Sequence, residues 1–463
     1  MKYDIRVVST YPPRRCGIGT FSRDLADALQ QFPNDVRRIR VAVIDNSGCD
    51  YDDRVDMVID QYDPQSWAKA TAQITSGAFE SDSRPVALLQ HEYGLDPEAG
   101  TRNANGTNYV EMAKRLSEKG VVTLVYLHTV LDDPDEHQKK VLQDLAEHSE
   151  GLIVTTESAV DILTSETYGI RRSRITHIDH GIRMQNPFQY DRLMVKEECG
   201  LANGLLITTL GLRSPDKGIQ YSVRGYAKFL RESCSQQQRS NLVYLIAGQC
   251  HPEFIAADEG THYRLYQKMM GEALEDSELK CCEVKDLGEA DFAQYDVVFL
   301  DTFLDESMLL KLYGATNVMV LPYLNMQQMS SGVLADTVGS GRVAIATKFR
   351  YAVELIKPGS IGQKGIIVGP GPRGILVDPG EESVEQIAQG LDYVVFNRDQ
   401  RLGMEKRAHR RGYQMKWDNT AWQLLQYIQF VIEKRETVSG RGIEFARERA
   451  SIFEEQNSRL SAR

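Results

Sequence analysis

The sequence lacks any apolar run long enough to cross a membrane, and it lacks an excess of basic residues. No window approaches the roughly 20 apolar residues of a membrane-spanning helix, and residues 1–4 lead into a strand pattern rather than a signal peptide. The formal net charge of -11 argues against nucleic acid as a partner, because a nucleic-acid-binding protein presents a basic face. These absences predict a protein without a transmembrane segment that stays where it is made.

Cysteine motifs are also missing. The seven cysteines are an odd number, spread over both halves without a C-x-x-C pair, and Cys281 and Cys282 are adjacent. This usage fits a reducing cytoplasm better than a disulfide framework or a zinc site. The acidic run 132–135 could suggest a metal site, but it precedes a helix pattern with Val141 and Leu145 on its apolar face, where aspartates serve as caps. No metal site is predicted.

Short apolar runs alternate with helical segments along the chain, which is typical of parallel sheets covered on both faces. The 463 residues suffice for two large α/β domains, and the polar stretch 182–204 predicts the boundary between them. We therefore expect two doubly wound, Rossmann-like sheets with a ligand cleft between their carboxyl edges. The predicted interior strands are residues 86–89, 121–127, 152–154, 205–210, 242–247, 297–300 and 343–346.

The segment Leu321–Thr347 reads as strand, polar loop, Ser-Ser-Gly, helix and strand. Ser330, Ser331 and Gly332 open a helix whose free N–H groups and positive dipole end attract an anion. Asp336 follows within about a turn, close enough to bind a sugar attached to a bound phosphate. The alternative is an ordinary βαβ unit in which a serine caps the helix.

A second glycine-containing turn links the first predicted strand to an amphipathic helix. Gly17 and Gly19 would let the backbone approach a phosphate, while Arg14 and Arg15 supply positive charge beside it. The turn departs from the dinucleotide fingerprint, because Ser22 stands where the third glycine belongs.

Further motifs lie where predicted strands end. They are YPPRRCGIGTF (11–21), LQHEYG (89–94), LHT (127–129), HGI (180–182), SPDKG (214–218), AGQCHP (247–252) and SSGVLADTVGSG (330–341). Together they resemble the retaining glycosyltransferases of family four, which have the GT-B fold of two Rossmann-like domains. The resemblance is collinear from about Val7 to about Phe430.

The resemblance implies a nucleotide-sugar donor on the second domain and an acceptor that approaches from the first. Lys217, with Arg213 as a neighbour, would hold the donor diphosphate. The N–H groups near Ser331, Gly332 and Val333 would hold its distal phosphate.

Two positions depart from the family pattern. Asp336 occupies the second acidic position of the E-x7-E motif, which usually binds the ribose hydroxyls, but the first position is Gln328. An amide can still form hydrogen bonds with sugar hydroxyls. Leu212 occupies a position where many relatives have arginine, so Arg213 or Arg14 would have to compensate.

On the first domain, His128 matches the histidine that lies beside the transferred sugar and the reacting bond in the family. The alternative is a strand-end histidine bonded to backbone. His91 and Glu92 end the neighbouring strand, and Glu92 would either orient the acceptor or form a surface salt bridge. His180 follows the last strand of the domain and would at most line the cleft.

The implied reaction displaces a nucleoside diphosphate from an anomeric carbon through an oxocarbenium-like transition state. The main catalytic effect then comes from cations and helix N-termini that stabilise the charge on the leaving phosphate. A double displacement would need a carboxylate below the sugar, for which Glu92 is the one candidate, so retention by front-face attack is implied. No cofactor is required besides a GDP- or UDP-sugar as co-substrate. The acceptor would be a carbohydrate or another small molecule, and an oligomer is possible.

The resemblance also divides the chain. Four aromatic side chains near the end of the chain are expected to pack in the core, and their burial would hold the two halves together; they are Trp417, Trp422, Tyr427 and Phe430. The charged tail would be a solvated helix, a partner-binding arm or disordered. The expected divisions are an acceptor-side domain (1–195), a donor domain (204–395), helices that cross back to the first domain (396–432) and the tail (433–463).

Two other functions stay open. An NAD-dependent oxidoreductase is supported by the glycines of the first turn and by Asp45 near the end of the second strand, but contradicted by Ser22. A GT-B-like protein that binds, hydrolyses or epimerises a nucleotide sugar without transfer is kept open by Gln328 and Leu212.

Overall fold

The computed structural model describes most of the chain in two compact units. One unit comprises Met1–Gly181 and the chain from Trp417 onward, and the other comprises Ile182–Lys416. The described residues are 2–46, 48–77, 83–97, 105–183, 192–198, 204–250, 254–255, 257–289, 292–358 and 371–438.

The first unit is built on a parallel sheet of seven strands. They are β1 (Tyr3–Ser9), β2 (Val36–Asp45), β3 (Val55–Asp60), β4 (Arg84–His91), β5 (Val122–Leu127), β6 (Gly151–Val154) and β7 (Ile175–His177). The strand order is β3-β2-β1-β4-β5-β6-β7, and every neighbouring pair is parallel.

Helices connect these strands. They are α1 (Gly17–Gln30), α2 (Pro64–Gly77), α3 (Thr107–Glu118), α4 (Glu136–His148) and α5 (Glu157–Thr164), with 3-10 turns at Tyr93–Leu95 and Arg172–Arg174. The predicted cap of α4 is confirmed: Asp135 accepts from the Gln138 N–H in a capping box, and Val141 and Leu145 are buried.

The second unit also has seven parallel strands. They are β8 (Leu205–Leu210), β9 (Leu242–Ala247), β10 (Cys281–Val284), β11 (Val297–Leu300), β12 (Val318–Leu321), β13 (Val343–Thr347) and β14 (Gly374–Val377). The strand order is β10-β11-β9-β8-β12-β13-β14. Each predicted interior strand, in both units, is therefore confirmed.

The helices of the second unit are α6 (Arg192–Glu198), α7 (Ile219–Ser233), α8 (Gln236–Arg239), α9 (Thr261–Glu275), α10 (Glu306–Ala315), α11 (Gly332–Gly339), α12 (Arg350–Ile356), α13 (Glu382–Phe396) and α14 (Arg398–Gln414). Three 3-10 turns accompany them, at Pro215–Lys217, Ala257–Gly260 and Leu287–Glu289. Alternate residues of one strand point into different cores, as Leu206 and Ile207 do, so both faces of the sheet are covered.

The last described helix, α15 (Trp417–Val438), belongs to the first unit. It packs on α1, and Trp417 and Tyr427 share a buried cluster with Phe21. The prediction for Trp422 is wrong, because its side chain is 45% exposed on the outer face of the helix. The tail from residue 439 lies outside the described residues. No helix in the described ranges is long and apolar enough to span a membrane.

Candidate functional site

The predicted site residues follow the carboxyl ends of strands in both sheets. The strand order changes direction between β1 and β4 in the first sheet and between β8 and β12 in the second. Loops at the carboxyl ends of strands beside such a switch point are where doubly wound sheets bind ligands.

In the second unit, the loops after β8 and β12 pack backbone against backbone. Gly218 has a φ of +62°, and a Cβ there would collide with the carbonyl oxygen of Pro322. The N–H of Leu324 donates to the carbonyl oxygen of Asp216 (2.7 Å), which fixes the contact. This close approach requires glycine and joins the SPDKG motif to the loop that leads into α11.

Lys217 is held over an aromatic platform. Its Nζ lies 3.9 Å from the ring centroid of Tyr323, which in turn stacks on Phe349 at 5.2 Å. No carboxylate in the described part of the chain lies within ion-pair distance of this ammonium. The lysine is therefore oriented by a cation–π contact while its charge stays available to an anion.

The amino end of α11 opens beside this lysine loop. Ser331 is the N-cap, and its Oγ accepts from the N–H of Leu334 (3.2 Å), so the predicted helix start is confirmed. The N–H groups of Gly332 and Val333 precede the first intrahelical bonds. A Cβ at Gly332 would meet nothing within 4 Å, and a Cβ at Gly211 would lie 3.6 Å from Val333 Cγ2. The helix end therefore has free space before it and contacts the loop that carries Lys217.

Gln328 and Asp336 flank that helix start. The Gln328 amide donates to the carbonyl oxygen of Ser330 (2.7 Å), which braces the loop before the cap. Asp336 Oδ1 accepts from the N–H of Arg183 (3.5 Å), and the Arg183 guanidinium pairs with Glu306 (2.7 Å). Sequence reasoning did not find Arg183, which no motif marks.

Arg213 differs from Lys217 because its charge is compensated. Its side chain is buried, pairs with Asp301 and lies 3.8 Å from a carboxylate oxygen of Glu283. The guanidinium also lies 5.7 Å from the ring centroid of Phe299. These contacts anchor the arginine across the ends of β10 and β11, and Lys217 is left as the cation with uncompensated charge in this loop.

In the first unit, His128 follows β5. Its Nε2 lies 2.8 Å from Gln90 Oε1, and its backbone N–H donates to the carbonyl oxygen of His91 (3.1 Å). Burial lowers the pKa of His128 to about 3, with smaller contributions from His180 and His91. The imidazole is therefore neutral near pH 7.

Phe21 of α1 brings His128 and His180 together. Its ring contacts His128 and His180 edge to face, each at 5.1 Å, and also contacts Trp417. His180 Nδ1 donates to the Gly181 carbonyl oxygen (2.6 Å), and burial lowers the pKa of this histidine to about 4. Helix periodicity marks Phe21 as a core residue, but no sequence signal places it between two histidines.

His91 is a core residue. Its ring lies edge to face with Tyr93 (4.9 Å) and Tyr109 (5.2 Å), and neither ring nitrogen has a hydrogen-bond partner among the described residues. Burial lowers the pKa of His91 to about 3.

Glu92 is half-buried beside it. Its carboxylate accepts from the Thr129 hydroxyl (2.5 Å) and from the Tyr93 N–H (3.0 Å), while burial raises its pKa. These bonds hold the carboxylate next to the loop that follows His128.

The glycine turn after β1 is fixed by Arg14. One guanidinium nitrogen donates to the Ile44 carbonyl oxygen (3.1 Å) and to Gln61 Oε1 (3.0 Å). A Cβ at Gly19 would lie 3.3 Å from Tyr11 backbone atoms, whereas one at Gly17 would meet nothing within 4 Å.

The amino end of α1 has no side-chain cap. The N-cap residue of α1, Cys16, makes no side-chain capping bond, and Arg15 is exposed. Among the residues that the structure describes, no three His, Cys, Asp or Glu side chains cluster as metal ligands.

Comparison with known proteins defines the fold. No family model and no curated protein matches the sequence. Solved structures do match over nearly the whole chain. HepE from Anabaena, in complex with UDP, has 14% identity over 93% of this chain and 100% of that chain, with a TM-score of 0.64.

Two further matches are of the same kind. A glycosyltransferase from Rickettsia africae has 13% identity over 93% of this chain and 99% of that one, with a TM-score of 0.64. A UDP-forming α,α-trehalose-phosphate synthase from Burkholderia xenovorans has 12% identity, 93% and 100% coverage, and a TM-score of 0.61. Two parallel seven-stranded sheets with these neighbours establish a GT-B fold, as expected from the resemblance.

Proposed function

We propose that this protein is a retaining glycosyltransferase that transfers a sugar from a nucleotide-diphosphate sugar to a hydroxyl of a carbohydrate or other small acceptor. The observation that carries the proposal is the uncompensated ammonium of Lys217 in a loop that packs against the open end of α11. A cation and a helix N-terminus side by side form a diphosphate site, and both stabilise the negative charge that grows on a leaving diphosphate.

In this proposal the second unit binds the donor. Lys217 contacts the diphosphate, and the N–H groups of Gly332 and Val333 bind its distal phosphate. Asp336 binds the ribose hydroxyls. Arg213, paired with Asp301, orders the loop that contains Lys217.

The first unit supplies the groups around the transferred sugar and the acceptor. His128 and His180 are neutral, which suits a sugar that becomes positively charged in an oxocarbenium-like transition state. The acceptor oxygen bonds to the anomeric carbon as the bond from that carbon to the phosphate oxygen breaks, on the same face. The leaving phosphate takes the acceptor proton. Glu92 takes no part as a nucleophile in this scheme, and hydrogen bonds from the Thr129 hydroxyl and the Tyr93 N–H hold its carboxylate in place.

The first donors to test are UDP-sugars. Structures of HepE contain UDP with glucose and UDP-glucose, and a trehalose-phosphate enzyme from E. coli binds UDP-2-fluoro glucose. GDP-sugars such as GDP-mannose are the next class.

An NAD-dependent oxidoreductase is disfavoured by two contacts. Ser22, at the third glycine position, is buried and bonds through its hydroxyl to Ser9 of β1 (2.7 Å). The Asp45 carboxylate, which would bind a ribose in such an enzyme, accepts from the backbone N–H groups of Asn46 (2.9 Å) and Gly48 (2.7 Å). A binder, hydrolase or epimerase remains the second candidate, because compensation of Arg213 leaves fewer free cations for catalysis.

The test combines a thermal-shift panel of UDP, GDP, ADP and NAD with release of nucleoside diphosphate from the sugar nucleotide that carries the stabilising base. Release is measured with and without a mixed pool of glycan acceptors. We expect one nucleoside diphosphate to stabilise the protein and its release to depend on acceptor. Stabilisation by NAD alone would contradict the proposal, and release without any acceptor dependence would favour a hydrolase.

A further inference from the structure

Gln90 lies at the end of β4, and its side chain is fully buried (0% exposed). Its Oε1 lies 2.8 Å from His128 Nε2. No residue in the described part of the chain bonds to the other end of the amide, Gln90 Nε2. The imidazole of His128 is thus the hydrogen-bond partner of this side chain.

With the amide oriented so that Oε1 faces His128, the bond assigns the proton of the imidazole. An amide oxygen only accepts hydrogen bonds, so His128 Nε2 must be the donor. A neutral imidazole has a single N–H, and Nδ1 therefore carries a lone pair. Nδ1 has no partner within the described ranges and the ring is only half-buried, so this nitrogen is the one available to a ligand.

We propose that Gln90 is a positioning residue that holds His128 as the neutral Nε2–H tautomer, so that Nδ1 accepts a hydrogen bond from a hydroxyl of the transferred sugar. The sugar hydroxyl then donates to an oriented, uncharged acceptor. This inference rests on the proposed function for the identity of the ligand. The tautomer itself can be measured without activity.

An amide suits this position better than a carboxylate would. The titratable groups acting on His128 are His91 from β4 and His180 from the chain after β7, and both lower its pKa. Glu92 lies on the same strand, but its oxygens are bonded to Thr129 and to backbone. A carboxylate at position 90 would stabilise the imidazolium, which would repel the positive charge that develops on the sugar. Gln90 orients the ring without charging it.

The first experiment reads the tautomer directly. Two-bond ¹H–¹⁵N spectra of the full chain labelled with ¹⁵N-histidine distinguish protonated from unprotonated ring nitrogens, and His128→Gln assigns the signal. We expect Nε2–H in the wild type and a mixed or reversed tautomer in Gln90→Met. An Nδ1–H tautomer in the wild type, as a reversed amide would give, overturns the inference. An unchanged tautomer in Gln90→Met does so too.

The second experiment uses Gln90→Glu and the pH dependence of kcat/KM. The wild type should show no titration of His128 above pH 5, because this histidine stays neutral there. In Gln90→Glu the carboxylate raises the pKa of His128, so activity should fall by about tenfold or more at low pH and recover as the pH rises. The matched control is Gln143→Glu in the same unit, where a half-buried amide donates to the Tyr168 carbonyl oxygen (2.8 Å). A Gln90→Glu profile that matches this control contradicts the inference.

The two experiments separate the inference from the proposed function. If His128 carries its proton on Nε2 and Gln90→Met changes this, but no sugar nucleotide is turned over, the proposed function fails and the assigned ligand fails with it. If sugar transfer occurs while the tautomer does not depend on Gln90, the inference fails and the proposed function stands. If Gln90→Met folds poorly, the inference is decided by the wild-type spectrum and by the pH profile of Gln90→Glu.

Discussion

The two sheets present side chains of opposite chemical character at their carboxyl ends. In the first unit, neutral histidines follow β5 and β7, and these residues, His128 and His180, contact the ring of Phe21. In the second unit, the loop after β8 presents the ammonium of Lys217 beside a helix N-terminus. The histidine cluster of the first unit is uncharged near pH 7, whereas the site of the second unit concentrates positive charge. The proposed glycosyl transfer would use this difference, because positive charge develops on its sugar and negative charge on its leaving diphosphate.

The largest expected effect comes from removing the charge of the second site. Lys217→Ala should lower kcat by about 10²–10³, as loss of one preorganised charge-stabilising group does. The matched control is Lys228→Ala on α7, a surface lysine paired with Glu232 (2.7 Å) and Glu385 (3.1 Å) in the same unit. Equal activities of the two variants would show that the charge of Lys217 is not used.

The second-largest effect is expected at Gly218, where the loop that contains Lys217 packs against the backbone of Pro322. Gly218→Ala should destabilise the protein by about 2–4 kcal/mol, because the new Cβ meets Pro322 backbone and φ is positive. Gly19→Ala is the counterpart in the first unit, where a Cβ lies 3.3 Å from Tyr11 backbone. It should cost less, about 1 kcal/mol. Urea denaturation of both variants measures the difference, and equal midpoints would contradict it.

A substitution at Ser331 can separate capping from anion binding. Ser331→Asp keeps a favourable N-cap but adds negative charge where the distal phosphate is proposed to bind. We expect thermal stability without ligand close to wild type and affinity for nucleoside diphosphate weakened by about tenfold. Unchanged affinity would show that the end of α11 acts only as a structural cap.

The smallest expected effect is the pH dependence of stability that the buried His91 of the first unit causes. The folded-state pKa of His91, about 3, lies below its ordinary value of 6.5, so its contribution to stability is full above pH 6.5 and is lost as the pH falls toward 3. At pH 6 the loss is about 0.8 kcal/mol. His91→Phe should remove this part of the acid sensitivity, and His262→Phe, a substitution on the surface of α9, is the control. Denaturation midpoints at pH 7.5 and 6 test this, and equal pH dependence in wild type and His91→Phe would contradict it.

The interior strands could be predicted because a strand covered on both faces is a continuous apolar run. The runs at 205–210 and 242–247 coincide with β8 and β9. Two of the edge strands, β3 and β10, do not stand out for the same reason. In β3 the sequence VDMVID alternates between exposed and less exposed positions, with Val58 59% exposed, and β10 is only half-buried. Neither strand is a continuous buried apolar run.

The part of the site that lies within one short motif could be predicted from the sequence. The helix start at Ser331 is read from three adjacent residues, because capping is a local property. Pairs that depend on sheet register could not be predicted. Arg213 and Asp301 are 88 residues apart, and Gln90 and His128 are 38 apart. Tyr323 lies beneath Lys217 because two loops pack together, and no periodicity in the sequence predicts such a contact.

The most direct test of the central claim is a calorimetric titration of UDP and GDP into the wild type, Lys217→Ala and Lys228→Ala. We predict that one nucleotide binds the wild type and Lys228→Ala equally, and binds Lys217→Ala at least about tenfold more weakly, since a lost charge-assisted contact to a phosphate is worth about 1.5–3 kcal/mol. Equal affinity in all three proteins, or no binding of either nucleotide to the wild type, would contradict the claim that the charged switch point of the second unit holds a donor diphosphate.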